Sequence, residues 1–212
     1  MFKYVNLKQK KEKKMKFNCL LAGVGGQGTV LASKMIAQVA IEQGEFVRTS
    51  ETIGMAQRGG TVVSHVRIGS STMGPCIPKH KADLLIGFEP AEALRNIDIL
   101  KENGIVLVSV DPIIPVTASL GNNKYDVAEI LAVLENRSGK IIKIEGKKMC
   151  QELGNLKVFN IMMLGLAVGA DLLPFSEDAV RETLKNNLPS GFKELNDEAF
   201  TKGLIFGRRS VS

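Results

Sequence analysis

The sequence predicts an α/β domain with a mostly parallel sheet, helices on both faces and a helical C-terminal part. Three observations carry this. An apolar run at 17–22 stops at a glycine-rich turn, Gly23 to Gly28, and a helical pattern follows it. Short apolar or β-branched runs then recur between helical segments as far as residue 144. Beyond that point the strand patterns end and four helical segments follow.

Taken in order, residues 17–22 read as a buried first strand. From Gly28, Val30, Leu31, Lys34, Met35, Gln38, Val39 and Glu42 describe a helix with one apolar and one polar face, ending at Gly44. Residues 46–49 read as the second strand, and this βαβ start makes the fold Rossmann-like. Residues 50–60 carry too much glycine for a regular element and read as a long loop, a kind of segment that often serves function. Residues 61–68 alternate and are rich in β-branched side chains, so they form a strand. A turn region leads to a buried strand at 82–88. A helix at 90–100 opens on Pro90, whose missing N–H costs little in a first turn. A strand at 104–110, a connection at 111–115, a helix at 126–136 and a strand at 140–144 complete the α/β part. Helices are expected at 147–153, 156–169, 176–187 and 193–206, with Ser176 as an N-cap ahead of Glu177 and Asp178. Gly165 and Gly169 lie four apart in a short helix and read as a site of close packing.

The chain of 212 residues carries a net charge of +6, and the position of that charge matters more than its size. Residues 1–16 hold seven lysines and a single acid, Glu12; without them 21 basic and 21 acidic residues remain. The body is neutral, so no nucleic-acid partner is expected. Residues 1–14 read as a disordered basic tail and residues 15–212 as a single domain. No apolar run reaches the roughly 18 residues that cross a bilayer, so no membrane partner is expected; the odd, scattered cysteines read as cytosolic thiols, so a cytoplasmic location is expected. Cys19, Cys76 and Cys150 are scattered and His65 and His80 are the only histidines, which gives no ligand set for a metal.

Two glycine motifs hold the functional signal. Gly23, Gly25 and Gly28 match GxGxxG between a strand and a helix, where free N–H groups and the helix dipole favour an anion. A dinucleotide site also expects an acid about 20 residues on, at the end of the second strand. Arg48, Thr49 and Ser50 stand there, with Glu51 late. Three readings remain open for Gly25, Gly26, Gln27 and Gly28: nucleotide binding, contact with an anion or a partner backbone, and packing alone. Gln27 favours a contact, because its amide both donates and accepts. The second motif is Gly54 with Gln57, Arg58, Gly59 and Gly60. Its guanidinium offers a planar, charged fork, either to a partner or to a local carbonyl. On the following strand Ser64 and His65 point to opposite faces, one of them inward, and Arg67 is either a solvated charge or a contact residue.

Gly25 to Gly28, Arg58 to Gly60, Ser64 to Ile68 and the late run Asn160 to Gly165 together resemble the gamma domain of 2-oxoacid:ferredoxin oxidoreductases, over residues 15–206. Within that family, Gly54 to Gly60 and His65 to Gly69 most resemble the aryl-pyruvate branch. The resemblance implies oxidative decarboxylation of an aryl 2-oxoacid, with coenzyme A taking the acyl group and ferredoxin the electrons. It implies thiamine diphosphate and [4Fe–4S] clusters on a large alpha subunit, and an assembly that is a homodimer or heterotetramer. No catalytic residue or metal ligand is expected in this chain, and Gly54, Gln57, Arg58, Gly59, Gly60, Ser64 and Arg67 are the candidates for an interface or active-site loop. A stand-alone NAD(P)-dependent reductase and a non-enzymatic interaction module are the rival readings.

Overall fold

A computed structural model describes residues 15–54, 59–69, 74–114 and 125–211. Six strands form one sheet: β1 (Phe17–Val24), β2 (Val47–Ile53), β3 (Thr61–Ile68), β4 (Ala82–Gly87), β5 (Leu100–Ser109) and β6 (Lys140–Ile144). Their order across the sheet is β2-β3-β1-β4-β5-β6. β1, β4, β5 and β6 pair in parallel, whereas β3 is antiparallel to both β1 and β2. The mostly parallel α/β architecture expected from the sequence is therefore present, with β3 as its one reversed strand. β2 runs in the same direction as β1 but is not its neighbour, because the hairpin return of β3 fills the place beside β1.

Seven helices accompany the described strands: α1 (Thr29–Glu42), α2 (Pro90–Arg95), α3 (Val127–Arg137), α4 (Gly146–Glu152), α5 (Phe159–Gly169), α6 (Glu177–Asn187) and α7 (Lys193–Arg209). One face of the sheet packs Cys19, Leu21, Leu84, Ile86 and Leu107 against α1 and the C-terminal helices. The other packs Leu20, Ala22, Leu85, Val106 and Val108 against Ala93 of α2 and Leu134 of α3. Burial on both faces explains why β1 and β4 read as continuous apolar runs.

Several boundaries differ from the sequence reading. β2 continues to Ile53, where a loop was expected from residue 50, because Ser50 to Ile53 pair in register with His65 to Val62. The helix expected over 90–100 ends at Arg95 and passes through a 3-10 turn, Ile97–Ile99, into β5, which starts at Leu100. Local signals set the helix starts. The Glu89 carboxylate accepts from Glu92 N at 2.9 Å, Asp126 accepts from Ala128 N at 2.9 Å, and Ser176 accepts from Ala179 N at 3.3 Å.

The C-terminal helices meet backbone to backbone. A Cβ at Gly165 or Gly169 of α5 would lie 2.1 or 2.3 Å from the carbonyl oxygen of Phe200 or Leu204. A Cβ at Gly203 or Gly207 of α7 would lie 2.1 or 2.4 Å from that of Met162 or Leu166. The pairs are reciprocal, so the close packing read from Gly165 and Gly169 is one half of a two-sided contact.

Candidate functional site

The two glycine motifs meet at the carboxyl ends of β1 and β4. At this point α1 leaves the sheet towards one face and α2 towards the other, and such divergence opens a crevice in α/β folds. Gly25 N–H donates to the Gly60 carbonyl at 2.8 Å, and Gly59 N–H returns to the Gly25 carbonyl at 3.4 Å. Gly54 N–H donates to the Thr61 carbonyl at 2.7 Å, which closes the other end of the loop. The turn and the loop are thus one clasp. Gln57 and Arg58, between Gly54 and Gly59, lie outside the described residues.

Gln27 does not reach outward from this clasp. Its Oε1 accepts from Val24 N–H and its Nε2 donates to the Phe88 carbonyl, each at 2.8 Å. Gln27 N–H itself donates to the Val24 carbonyl at 3.2 Å. The N–H groups of Val24, Gly25 and Gln27 are thus engaged within the chain. Gly28 takes φ +78° and leads into α1, and a Cβ there would stand 2.8 Å from the buried amide of Asn160. Asn160 opens the late run named in the resemblance, so the fold brings that run onto the glycine turn. Phe88 is fully buried beneath, edge-on to Phe159 at 5.5 Å.

The strand residues have different positions. Ser64 and His65 are both buried, because both faces of the sheet are covered; the expectation that only one points inward does not hold. Ser64 Oγ has no hydrogen-bond partner among the described residues. His65 Nδ1 accepts from Ile77 N–H at 3.1 Å, and burial, with Arg67 nearby, lowers its pKa from the ordinary histidine value. Arg67 fastens a loop: its guanidinium donates to Asn18 Oδ1 at 3.1 Å, to the Gly74 carbonyl at 2.7 Å and to the Cys76 carbonyl at 3.1 Å.

One group of residues escaped the sequence reading. Beside the clasp, Thr61 Oγ1 donates to Glu92 Oε1 at 3.2 Å, and Arg95 pairs with the same carboxylate. Glu92 Oε2 is buried with no partner among the described residues. Burial raises the Glu92 pKa above the usual carboxylate range, against the opposing pull of Arg95. Glu89, also buried, accepts from Tyr125 Oη and from Glu92 N–H. Burial and the bond to Glu89 push the Tyr125 phenol up. The signal available in the sequence was an acid directly before Pro90, the place of an N-cap.

The chemistry on offer is structural and electrostatic. Cys19 is buried and its thiol is held neutral by burial, and burial raises Cys150 to about 11. No three His, Cys, Asp or Glu side chains come together to hold a metal among the described residues. The clasp also differs from a dinucleotide site: β3 stands between β1 and β2, and Gln27 fills the turn. A hollow of about 390 Å³ between α6 and α7, lined by Arg181, Leu184, Leu188 and Lys193, shares no residue with the clasp.

Residues 18–205 match the family model of pyruvate ferredoxin/flavodoxin oxidoreductase. The chain is 36% identical over 201 residues to indolepyruvate oxidoreductase subunit IorB of Archaeoglobus fulgidus, covering 93% of this chain and 100% of that one. It is 35% identical over 190 residues to the IorB subunit of Pyrococcus horikoshii, covering 89% and 94%. Against the pyruvate/ketoisovalerate oxidoreductases common subunit gamma of Thermococcus kodakarensis, identity is 26% over 190 residues, covering 87% and 95%. Among solved structures, the gamma subunit of a keto/oxoacid ferredoxin oxidoreductase from Geobacter sulfurreducens shares the fold, with a TM-score of 0.65, 24% identity, and 91% and 99% of the two chains covered.

Proposed function

The chain belongs to the pyruvate ferredoxin/flavodoxin oxidoreductase family, and on that premise we propose that it is the small subunit of an oxidoreductase acting on indolepyruvate and related aryl 2-oxoacids. The observation that carries the substrate branch is the near-complete overlap with IorB subunits at 35% and 36% identity, against 26% for a pyruvate/ketoisovalerate subunit over a similar length. In this reading the 2-oxoacid is oxidatively decarboxylated, its acyl group passes to coenzyme A and the electrons pass to ferredoxin. Thiamine diphosphate and the iron–sulfur clusters belong to the large subunit, and the assembly works in the cytoplasm. Among the described residues no helix is long and apolar enough to cross a membrane.

The clasp supplies this chain's part. Gly54 and Gly59 are each tied down by a backbone hydrogen bond, so the segment carrying Gln57 and Arg58 is anchored at both ends. We assign Arg58 to the surface that meets the large subunit near the reacting centre, where a planar fork makes directed, charge-assisted bonds.

The test uses the two subunits co-produced and purified together. Reduction of ferredoxin should depend on both an aryl 2-oxoacid and coenzyme A, and pyruvate should be a poor substrate. Arg58→Ala should weaken co-purification or turnover by about 1.5–3 kcal/mol, the range for a lost charged hydrogen bond. Arg58→Lys should recover only part of it. Normal assembly and turnover in Arg58→Ala would refute the assignment of Arg58, and a micromolar dissociation constant for NAD(H) or NADP(H) would favour the reductase reading over the family role.

A further inference from the structure

The two edges of the sheet differ. β6 carries exposed Lys140 and Lys143, charges of the kind that keep an edge strand from pairing with another chain. β2 also carries two exposed charges, Arg48 and Glu51, but they are of opposite sign; it has neither lysine nor proline and shows no break in register against β3 over its seven residues. Ile53, 60% exposed, and Phe46, 48% exposed, stand at its two ends.

The hydrogen-bond parity of β2 follows from its end contacts. Gly69 N–H donates to the Phe46 carbonyl and Gly54 N–H to the Thr61 carbonyl, so the even-numbered residues bond inward to β3. The N–H and C=O groups of Val47, Thr49, Glu51 and Ile53 therefore point out of the open edge. None of these outward groups has a hydrogen bond to another described residue.

We propose that β2 pairs antiparallel with β2 of a second copy of this chain, about a two-fold axis at Ser50. The strand is self-complementary in this register. Val47 meets Ile53 of the second copy and Thr49 meets Glu51, and these odd-numbered positions are the ones whose backbone groups are free. Each outward N–H and C=O then gains a partner, as an antiparallel ladder requires. On the helix α1 face an apolar pair lies at each end and two Thr–Glu pairs lie between them. On the other face Arg48 meets Thr52, and Ser50 meets Ser50. No like charges stand directly opposite, an arrangement that would oppose pairing. A two-fold axis closes the contact through β2, and the edges that remain at the two ends of the joined sheet are the β6 strands with their exposed Lys140 and Lys143. The inference concerns assembly and is independent of the reaction.

The test is a register-specific cross-link in the full chain, with Cys76→Ser as background because Cys76 Sγ donates to Ser50 Oγ at 3.6 Å. Opposed side chains at a non-hydrogen-bonded antiparallel site have Cβ atoms about 4.5–5.5 Å apart. Under mild oxidation Ser50→Cys should form a covalent dimer. Arg48→Cys and Thr52→Cys should each fail to link to themselves but link when mixed. Sedimentation should give a dimer for the background protein. Thr49→Pro, which removes an outward N–H and spares the β3 ladder, should weaken the dimer at least tenfold with unchanged circular dichroism. Ile53→Lys, which keeps the backbone intact, should do the same. A monomer in the background protein, self-linking of Arg48→Cys in place of Ser50→Cys, or preferential linking of Ser50→Cys to the large subunit in the complex would overturn the proposal.

Discussion

Gln27 bridges the carboxyl ends of two parallel strands by donating from its side-chain amide to the Phe88 carbonyl at 2.8 Å while its oxygen holds Val24 N–H. One side chain thus joins β1 to β4 at the crevice. Gln27→Leu leaves a donor and an acceptor without partners in a partly buried place. It should cost about 1–3 kcal/mol in denaturant unfolding, the penalty for an unmade bond. Gln27→Glu keeps the acceptor but sets a carboxylate against the Phe88 carbonyl, so it should be no better at neutral pH. Unchanged stability in both variants would show that the bridge carries no energy.

Gly203→Ala should destabilise the chain strongly, since its Cβ would sit 2.1 Å from the Met162 carbonyl oxygen and α5 must move away. Overpacking of this kind costs about 1–3 kcal/mol, and here backbone is the obstacle. Gly191→Ala meets no atom of the described residues within 4 Å and should be near neutral. Thermal melting of the two variants side by side makes the comparison.

Glu92 predicts a pH dependence. Burial favours the neutral acid, so the folded chain keeps this proton to a higher pH than the unfolded chain, whose value is near 4.5. Between the two values the native state binds more protons, and the contribution of this group to stability falls as pH rises. Glu92→Gln removes that slope. The stability of the variant relative to the parent should therefore increase from pH 4.5 upward and then level off. A flat difference across this range would show that the folded chain holds the Glu92 proton no more tightly than the unfolded chain does.

His65 gives the opposite sign. Its folded pKa is depressed from 6.5, chiefly by burial, so the unfolded chain binds the proton more readily. Stability from this group is complete above 6.5 and is lost as pH falls below it. Because Nδ1 accepts from Ile77 N–H, the proton of the neutral ring belongs on Nε2. Nitrogen chemical shifts of a ring-labelled sample should show that tautomer at pH 7. A ring protonated on Nδ1 would contradict the hydrogen bond.

Much of the fold was legible because period and punctuation agree with the core. β1 and β4 read as apolar runs, and Pro90 and Ser176 mark the helix starts where the chain places them. Strand order was not legible. Nothing within residues 46–68 reveals that β3 returns to lie between β1 and β2, since that pairing depends on contacts far apart in sequence. The length of β2 was hidden because the glycines at 54, 59 and 60 drew the whole of residues 50–60 into a loop reading, and polar Ser50, Glu51 and Thr52, allowed in a strand at an open edge, gave no opposing signal. At the site, the glycine motifs stood out by composition, and their mutual hydrogen bonds did not. Glu89 and Glu92 were missed because an acid at a helix start is an ordinary cap, and only tertiary burial makes these two unusual.

The reciprocal glycines of α5 and α7 also govern the order in which the molecule can be completed during synthesis. α5 lies against the sheet with its outer side shaped to receive α7, and that side is finished only by residues near Gly203 and Gly207. A nascent chain halted before them exposes the apolar back of α5 to whatever else is near. Chains interrupted late would leave this apolar surface uncovered, so they should be captured by chaperones or degraded.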